Sequence, residues 1–298
     1  MKFQCLADSV YYLPGASNVG LVVGTQRRAL LIDTGVGERS GRRLLELLQD
    51  MDLLLVAILN THGHGDHVGG NAYLAENTGA RVYAPAYDAA AIEFPTWGTM
   101  CMFAGAAPPA EIAVPRFSPR SHKVDEIITS GDLMIAGESI QVVPLPGHTV
   151  GHTGYIVAGV FFTGDILAGE SELRNAPVSY SYSVTQRLQS LADLRKYACR
   201  CYVLGHGPPE HDIQDLIKQN IAQIQEIASF IESCLREDFL ETSELLARFC
   251  ARYSIAMRNM RQFFYWYPVV HSFLSHLSDL GRVEYRIQDN HLQWRTIA

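Results

Sequence analysis

The first part of the chain alternates short apolar runs with turn residues, the pattern expected of short strands and the helices that cover them. Residues 1–24 contain several apolar runs separated by Pro, Gly and polar residues, and residues 29–32 add another, which predicts a meander of strands. Leucines recur at helical spacing over residues 38–50, and an uninterrupted apolar run follows at 53–59. This strand–helix–strand order predicts a sheet covered by helices, and therefore an α/β fold.

The middle of the chain continues this pattern with one interruption. A helix is predicted over 71–79, Arg81–Pro85 is predicted as the next strand, and a further helix is predicted over 184–198. Residues 92–120 mix aromatic residues and methionines with Gly and Pro and show no periodicity, which indicates a long loop or a broken helix. Such a segment either forms a lid beside a pocket or fills a small separate core.

The end of the chain has a different pattern, because helical periodicity dominates it. Apolar residues recur at helical spacing in three stretches, followed by a hairpin over residues 283–295. The predicted helices are 212–237, 242–253 and 268–280. We expect Pro268 to be the first residue of the third helix, where proline is favoured. Three helices and a hairpin follow the order of a winged helix. The predicted division of the chain is 1–211 and 212–298.

Composition narrows the class of protein. The chain has 298 residues, of which 48% are hydrophobic and 18% charged, and these values suit a globular protein with a sizeable core. No apolar run approaches the ~20 residues that span a bilayer, and the start shows no signal-cleavage pattern, so we expect a cytoplasmic protein without membrane association. The formal net charge of −7 argues against nucleic acid as a partner. The six cysteines show no framework spacing, which argues against a disulfide scaffold.

One stretch, residues 61–70, concentrates the candidate chemistry. Its sequence is Thr-His-Gly-His-Gly-Asp-His-Val-Gly-Gly, so three histidines and an aspartate fall within six residues, directly after the strand predicted at 53–59. Glycines at 63 and 65 let the backbone turn tightly enough for neighbouring side chains to converge. Imidazole nitrogens and carboxylate oxygens are ordinary zinc ligands. The sequence therefore predicts a metal site here, with a His-rich surface loop as the alternative.

Four other candidate residues follow predicted strands in the same way. They are Asp33, His148, Asp165 and His206. With the His-x-His-x-Asp-His motif, these ordered pieces over about residues 15–210 resemble the metallo-β-lactamase superfamily, and in particular its glyoxalase-II-like hydrolases. The resemblance implies a four-layer αββα sandwich, the metallo-β-lactamase fold. The C-terminal part resembles the small helical, winged-helix-like appendage that some of these hydrolases carry.

The resemblance also implies a dinuclear metal centre with seven ligands. His62, His64 and His148 would hold one ion, and the other would be held by Asp66, His67 and His206. Asp165 would bridge the two ions, and Asp66 and Asp165 are the candidate catalytic carboxylates. Asp33 would lie behind the ligands and orient them by hydrogen bonding, with a structural role in its turn as the alternative. Two zinc ions are expected, although iron and manganese also accept such ligands.

The function that follows is hydrolysis of a small ester, thioester or lactone by a hydroxide shared between two ions. One alternative is an endoribonuclease or phosphodiesterase of the same fold, suggested by the winged-helix-like end. The other is a mononuclear-iron sulfur dioxygenase, but the full set of second-ion ligands argues against it. We expect a small-molecule substrate, with a homodimer left open. Arg174, Tyr180 and Tyr182 are candidates for substrate contact, and His152 is expected to be structural.

Overall fold

Two large β-sheets and one small sheet organise the residues that the computed structural model describes, which are 2–175 and 179–297. Strand order in the first sheet follows chain order: β1 Gln4–Ala7, β2 Val10–Leu13, β3 Val19–Val23, β4 Arg28–Ile32, β5 Leu54–Leu59, β6 Arg81–Pro85 and β7 Glu126–Ile128. Strands β1 to β4 pair antiparallel, as expected of the predicted meander, and β4 to β7 pair parallel.

The second sheet consists of five described strands: β8 Gly131–Ile135, β9 Glu138–Pro144, β10 Thr153–Val157, β11 Val160–Gly164 and β12 Cys201–Leu204. Hairpins join β8 to β11, and β12 then pairs parallel with β11. Strands β9, β11 and β12 therefore run in the same direction, and their carboxyl ends lie at one edge of the sheet.

The two large sheets pack face to face, because both of their faces are apolar. In β4, Leu30 points towards the second sheet and shares a buried core with Tyr155 of β10. The next residue, Leu31, points the opposite way, as strand geometry requires, and packs with Leu44 of a covering helix. On the far face of the second sheet, Phe161 packs with further helices. The layers are helix, sheet, sheet, helix, so the predicted αββα sandwich is confirmed.

Helices cover both outer faces. Those on or beside the first sheet are α1 Gly37–Asp50, α2 Gly65–Val68, α3 Asn71–Thr78, α4 Ala86–Glu93 and α5 Thr96–Met102. Those beside the second sheet are α6 Glu170–Asn175, α7 Val184–Asp193, α8 Gln214–Cys234, α9 Thr242–Arg252 and α10 Met260–Asp279. Gly79, where the predicted helix ends, follows α3 in the left-handed conformation, which glycine adopts readily at the end of a helix. No helix within the described ranges has the length and apolarity needed to cross a bilayer.

The C-terminal region has the helices and hairpin that were predicted, with one further strand. Its small sheet has the order β13-β15-β14, formed by β13 Leu240–Glu241, β14 Val283–Gln288 and β15 His291–Thr296. Helices α8, α9 and α10 share one buried core with the outer face of the second sheet. The region is therefore packed onto the sandwich, and the division at residue 212 stays a prediction.

The predicted start of the last helix at Pro268 is wrong. Helix α10 begins eight residues earlier at Met260, where the Asn259 side chain accepts a hydrogen bond from the Gln262 amide at 3.0 Å. Pro268 lies inside the helix and removes one backbone donor there. Aromatic side chains before it, including Phe263 and Trp266, pack against the large core. This packing and the N-cap outweigh the preference of proline for a helix start.

Candidate metal centre

The candidate ligands meet at one edge of the sandwich because each follows the carboxyl end of a strand. Asp33 follows β4 and residues 61–67 follow β5, whereas His148, Asp165 and His206 come after β9, β11 and β12. These strands run in the same direction within their sheets. The parallel arrangement therefore brings residues that are far apart in the sequence to one edge.

Four side chains form the first group, and each offers a ligand atom within 4.8 Å of the others: His62, His64, His148 and Asp165. The Nδ1 atom of His64 lies 3.1 Å from His62 Nε2 and 3.0 Å from His148 Nε2. Asp165 Oδ2 lies 3.5 Å from His148 Nε2 and 3.9 Å from His62 Nε2. Three imidazole nitrogens and a carboxylate oxygen thus surround one point.

A second group adjoins the first and consists of Asp66, His67 and His206. The Nε2 atom of His67 lies 3.2 Å from Asp165 Oδ1, and His206 Nε2 lies 3.4 Å from Asp165 Oδ2. The Asp165 carboxylate therefore touches both groups and stands between them. All seven predicted ligand residues are brought together at this edge.

The donor atoms fit divalent cations. His67 Nε2 and Asp165 Oδ1 are buried and have no hydrogen-bond partner among the described residues, which is costly unless a cation takes their lone pairs. The other ring nitrogen, Nδ1, is held elsewhere in three of the histidines. It contacts Tyr180 O in His148, Ala16 O in His206 and Asp33 Oδ2 in His67. Such contacts fix the tautomer that leaves Nε2 for a metal.

Asp33 supports the first sheet's ligand loop directly. Its Oδ2 lies 2.8 Å from His67 Nδ1 and accepts the hydroxyl proton of Thr61 at 2.8 Å, while its Oδ1 accepts the Thr61 amide at 2.8 Å. Since the Thr61 proton goes to Asp33, the hydroxyl oxygen can accept from His62 Nδ1, which lies 3.0 Å away. Asp33 also has a positive φ of 60°, the strained conformation that places its carboxylate under the loop.

Burial and charge set the protonation of the cluster. Burial lowers the pKa values of His62 and His148 well below the usual range, so both rings are neutral donors. Burial opposes the charged form of His206 as well, but the hydrogen bond and charge of Asp165 raise its pKa to about 9. Burial likewise disfavours the Asp165 carboxylate, yet His67 and His206 hold its pKa well below the usual range. A cation binding here would displace protons from the second group.

His152 and Arg187 lie just beneath the ligands. His152 Nε2 accepts the backbone amide of Asp165 at 3.0 Å, so this nitrogen is already engaged. Arg187 is 1% exposed and donates to Tyr180 O at 3.0 Å, Ser181 Oγ at 3.0 Å and Asp165 O at 3.3 Å. Burial lowers the pKa of Arg187 to about 10, so it stays charged at neutral pH. It fixes the loop whose Tyr180 carbonyl orients His148.

The predicted irregular interval at 92–120 lies against the metal loop. It contains the end of α4, helix α5 and then an irregular run that we call the covering segment, residues 103–120. A Cβ atom on Gly65 would meet Arg116 O at 2.5 Å, and Arg116 Nη2 lies 3.3 Å from Asp66 Oδ2. Phe117 faces Tyr265 of α10 with ring centroids 6.3 Å apart. The segment therefore bridges the metal loop and the C-terminal region.

The proposed substrate-contact residues have different positions. The Tyr180 ring lies 5.8 Å from His64 and 6.0 Å from His148, centroid to centroid, beside the site. Tyr182 is exposed, and the Arg174 guanidinium lies 3.6 Å from Glu170 on the exposed surface of α6.

One functional candidate, Asp88, was missed by the sequence interpretation. It is 4% exposed and lies in the first turn of α4, directly after β6. The signal was available, since it also follows a strand of the first sheet. It went unnoticed because it lies three residues into a helix, away from any motif.

Comparison with known proteins agrees with this geometry. A family model described as the metallo-β-lactamase superfamily matches residues 12–206. A hydroxyacylglutathione hydrolase of Methylobacillus flagellatus is 35% identical over 190 residues, which cover 62% of this chain and 60% of that protein. One from Aeromonas hydrophila is 31% identical over 204 residues, covering 64% and 67%. The matched region spans only 46–60% of the length of the first three relatives.

Solved structures resemble the whole chain. A metallo-β-lactamase family protein from Thermus thermophilus has a TM-score of 0.75 and 22% identity, covering 98% of this chain and all of that one. A β-lactamase domain protein from Burkholderia ambifaria has a TM-score of 0.77 and 17% identity, covering 99% and 93%. At these identities the likeness shows a shared fold, including the C-terminal region.

Proposed function

Since the chain belongs to the metallo-β-lactamase superfamily, we propose that it is a dinuclear-metal-dependent hydrolase. The observation that carries this proposal is the position of Asp165, whose two carboxylate oxygens contact histidines of both ligand groups. A single-metal enzyme would need only one group. The presence of Asp66, His67 and His206 beside Asp165 therefore supports two ions.

We assign His62, His64 and His148 to the first ion, Asp66, His67 and His206 to the second, and Asp165 to both. Zinc is the proposed metal, because the donors are imidazole and carboxylate without thiolate, and iron or manganese would suit them as well. Bound divalent ions would polarise the substrate's carbonyl oxygen and make water a nucleophile at neutral pH.

The other residues of the site hold and orient the metal ligands. Asp33 fixes the ring of His67, and Tyr180 O fixes that of His148, so the ligand atoms keep one geometry without reorganisation. The covering segment places Arg116 beside Asp66 and packs its backbone against Gly65 of the metal loop. Tyr180 lies beside His64, with the ring centroids 5.8 Å apart, and is a candidate for contact with the substrate.

The proposed substrate is a small thioester, with esters and lactones as further members of the class. The curated relatives are named hydroxyacylglutathione hydrolases, and an acyl group on glutathione is joined through sulfur. We expect zinc-loaded full-length protein to hydrolyse acyl thioesters at least about tenfold faster than phosphodiesters, because a carbonyl needs no pocket for a charged phosphoryl group. Parallel initial rates on thioesters, esters, lactones, phosphodiesters and RNA measure this.

The His148→Ala variant serves as the control for contaminating esterases and should lose the activity with every substrate. Faster cleavage of RNA or phosphodiesters than of any acyl substrate would contradict the proposed substrate class. Metal-loaded protein with no hydrolysis of any of these compounds would contradict the proposed function as a whole.

The C-terminal region is expected to shape the site instead of binding nucleic acid. Several of its arginines already have partners: Arg282 pairs with Glu232, Arg295 lies 2.7 Å from Glu284, and Arg286 stacks on Phe239. Non-specific binding of RNA requires several cations free to neutralise phosphates. In electrophoretic mobility assays the full-length protein should leave RNA unshifted at micromolar concentration. A salt-sensitive shift under those conditions would show that this region binds nucleic acid.

A further inference from the structure

We propose that Asp88 is a positioning residue that ties the loop of His62 and His64 to the loop of His148 and thereby sets the geometry of the first metal site. The inference rests on the proposed function only in treating these three histidines as ligands. It concerns a carboxylate that lies outside every ligand-bearing segment.

Asp88 contacts both loops with separate oxygens. Oδ1 accepts the Gly63 amide at 2.7 Å, within the loop between His62 and His64. Oδ2 accepts the Gly151 amide at 3.0 Å and the Thr149 hydroxyl at 3.1 Å, both within three residues of His148. One planar group therefore fixes the relative position of two loops that come from different sheets.

The backbones of Gly63 and Gly151 pack closely against Asp88 and its helix. A Cβ atom on Gly151 would meet Asp88 Oδ2 at 2.7 Å, and one on Gly63 would meet Asp88 O at 2.9 Å and Ala91 Cβ at 3.0 Å. Glycine is thus needed at both positions so that the loops can reach the carboxylate and the helix behind it. This accounts for two glycines that lie beside the histidines.

Helix α4 makes a rigid support for the carboxylate. Asp88 occupies its first turn, where the helix dipole favours a negative charge, and the neighbouring side chains Ala89 and Ile92 are buried in the core of the first sheet. The helix therefore fixes the position of the carboxylate, and both loops adapt to that position. The 3.0 Å approach of His64 Nδ1 to His148 Nε2 lies directly across this junction.

Replacing Asp88 with asparagine keeps the shape of the side chain but removes its charge and changes its hydrogen bonding. A carboxylate accepts at both oxygens, whereas an amide has one oxygen and an NH₂ group that must face either the Gly63 amide or the Gly151 and Thr149 donors. Asp88→Asn therefore leaves at least one loop facing a donor where it had an acceptor. We expect the zinc affinity of the first site to fall about 10–100-fold, the usual range for loss of a supporting contact.

The test measures each site separately by competition with a chromophoric zinc chelator. In a His206→Ala background the first site is retained, and there Asp88→Asn should weaken zinc binding. In a His148→Ala background the second site is retained, and there Asp88→Asn should change affinity by less than about threefold. Asp33→Asn, which changes the acceptor beside His67 Nδ1, should weaken zinc binding in this second background and shows that the assay detects a loss there.

Asp125→Asn is the matched control. Asp125 also accepts a backbone amide at the edge of β6, from Val82 at 2.9 Å, but touches neither ligand loop, so its loss should leave both affinities unchanged. If Asp88→Asn does not fold, as judged by thermal unfolding, Thr149→Val decides instead. Removing this one hydroxyl donor should weaken the first site by roughly threefold, a smaller loss of the same kind.

Equal zinc affinity of the first site in the folded variant and its parent would overturn the proposal, as would an equal loss at both sites. The failure of the proposed function is distinguishable from this result. A parent protein that binds two ions but hydrolyses no thioester would refute the function, while the affinity comparison would still decide the role of Asp88.

Discussion

Replacing Asp165 with alanine is expected to release both metal ions and abolish turnover. The carboxylate contacts His148 in one ligand group and His67 and His206 in the other, so in the proposed assignment its loss removes a ligand from each ion. It also removes the negative charge between two cations, whose repulsion then acts with less compensation. We expect Asp165→Ala to retain well under one ion per chain and to lose roughly three orders of magnitude in kcat/KM, or about 4 kcal/mol.

Variants of single histidine ligands provide the comparison for the metal content of Asp165→Ala. His62→Ala and His67→Ala each remove one ligand from one ion, so each should lose less total metal than Asp165→Ala. Asp33→Ala removes a supporting contact only and should keep more metal, with activity lowered about 10–100-fold. Elemental analysis and turnover are measured on the same preparations. Asp132→Ala, an exposed carboxylate on β8 of the same sheet, controls for loss of a charge.

Two ions and near-normal turnover in Asp165→Ala would refute its bridging position and the mechanism that depends on it. Loss of only one ion would place Asp165 in a single site. The number of ions per chain distinguishes these outcomes, so they can be interpreted without knowing the natural substrate.

Removing the metals from the wild-type protein should destabilise it strongly and reversibly. Each ion present at about 1,000 times its dissociation constant adds about 4 kcal/mol to the free energy of unfolding. Two ions should therefore raise the thermal midpoint on the order of 10 °C or more in a chain of this size. Without them, the buried atoms His67 Nε2 and Asp165 Oδ1 lie 3.2 Å apart with no hydrogen-bond partner within the described residues.

Differential scanning calorimetry after chelation, and again after adding zinc, measures the shift. Activity should disappear with the metal and return on reloading. Magnesium is the control ion, because it prefers oxygen ligands and retains its water, and so should restore neither property. A midpoint that does not change between chelated and reloaded protein would show that the cluster holds no tightly bound ion.

The sandwich was predictable because each strand is a short apolar run that stops at a turn. The run predicted at 53–59 and the strand found at Leu54–Leu59 differ by one residue, and the helix predicted over 38–50 begins at Gly37. The candidate ligands were recognised by their positions after such runs, and the family resemblance implied that they converge. The family resemblance then supplied the pairing of ligands with ions, which local pattern alone does not contain.

The parts that were missed depend on contacts that hydrophobic periodicity does not record. Arg187 lies on the inner face of α7, where periodicity favours an apolar residue, and its burial is explained by acceptors in the segment just before the helix and by the carbonyl of Asp165. Asp88 follows a strand, but its role depends on Gly63, Thr149 and Gly151, which lie 25 to 63 residues away along the chain. In α10 the error came from weighting one proline above the packing of the aromatic residues before it. Short strands such as β13 gave no signal, because two residues carry no periodicity.

The assembly of the centre from chain segments between Asp33 and His206 bears on how the protein matures. A growing chain that ends before His206 has the first sheet's histidines but not the strand that closes the second ion's site. Contacts over such separations form late in folding, because long loops must close first. The ions would therefore bind after the two sheets have packed together. They would slow the unfolding of the protein more than they speed its folding.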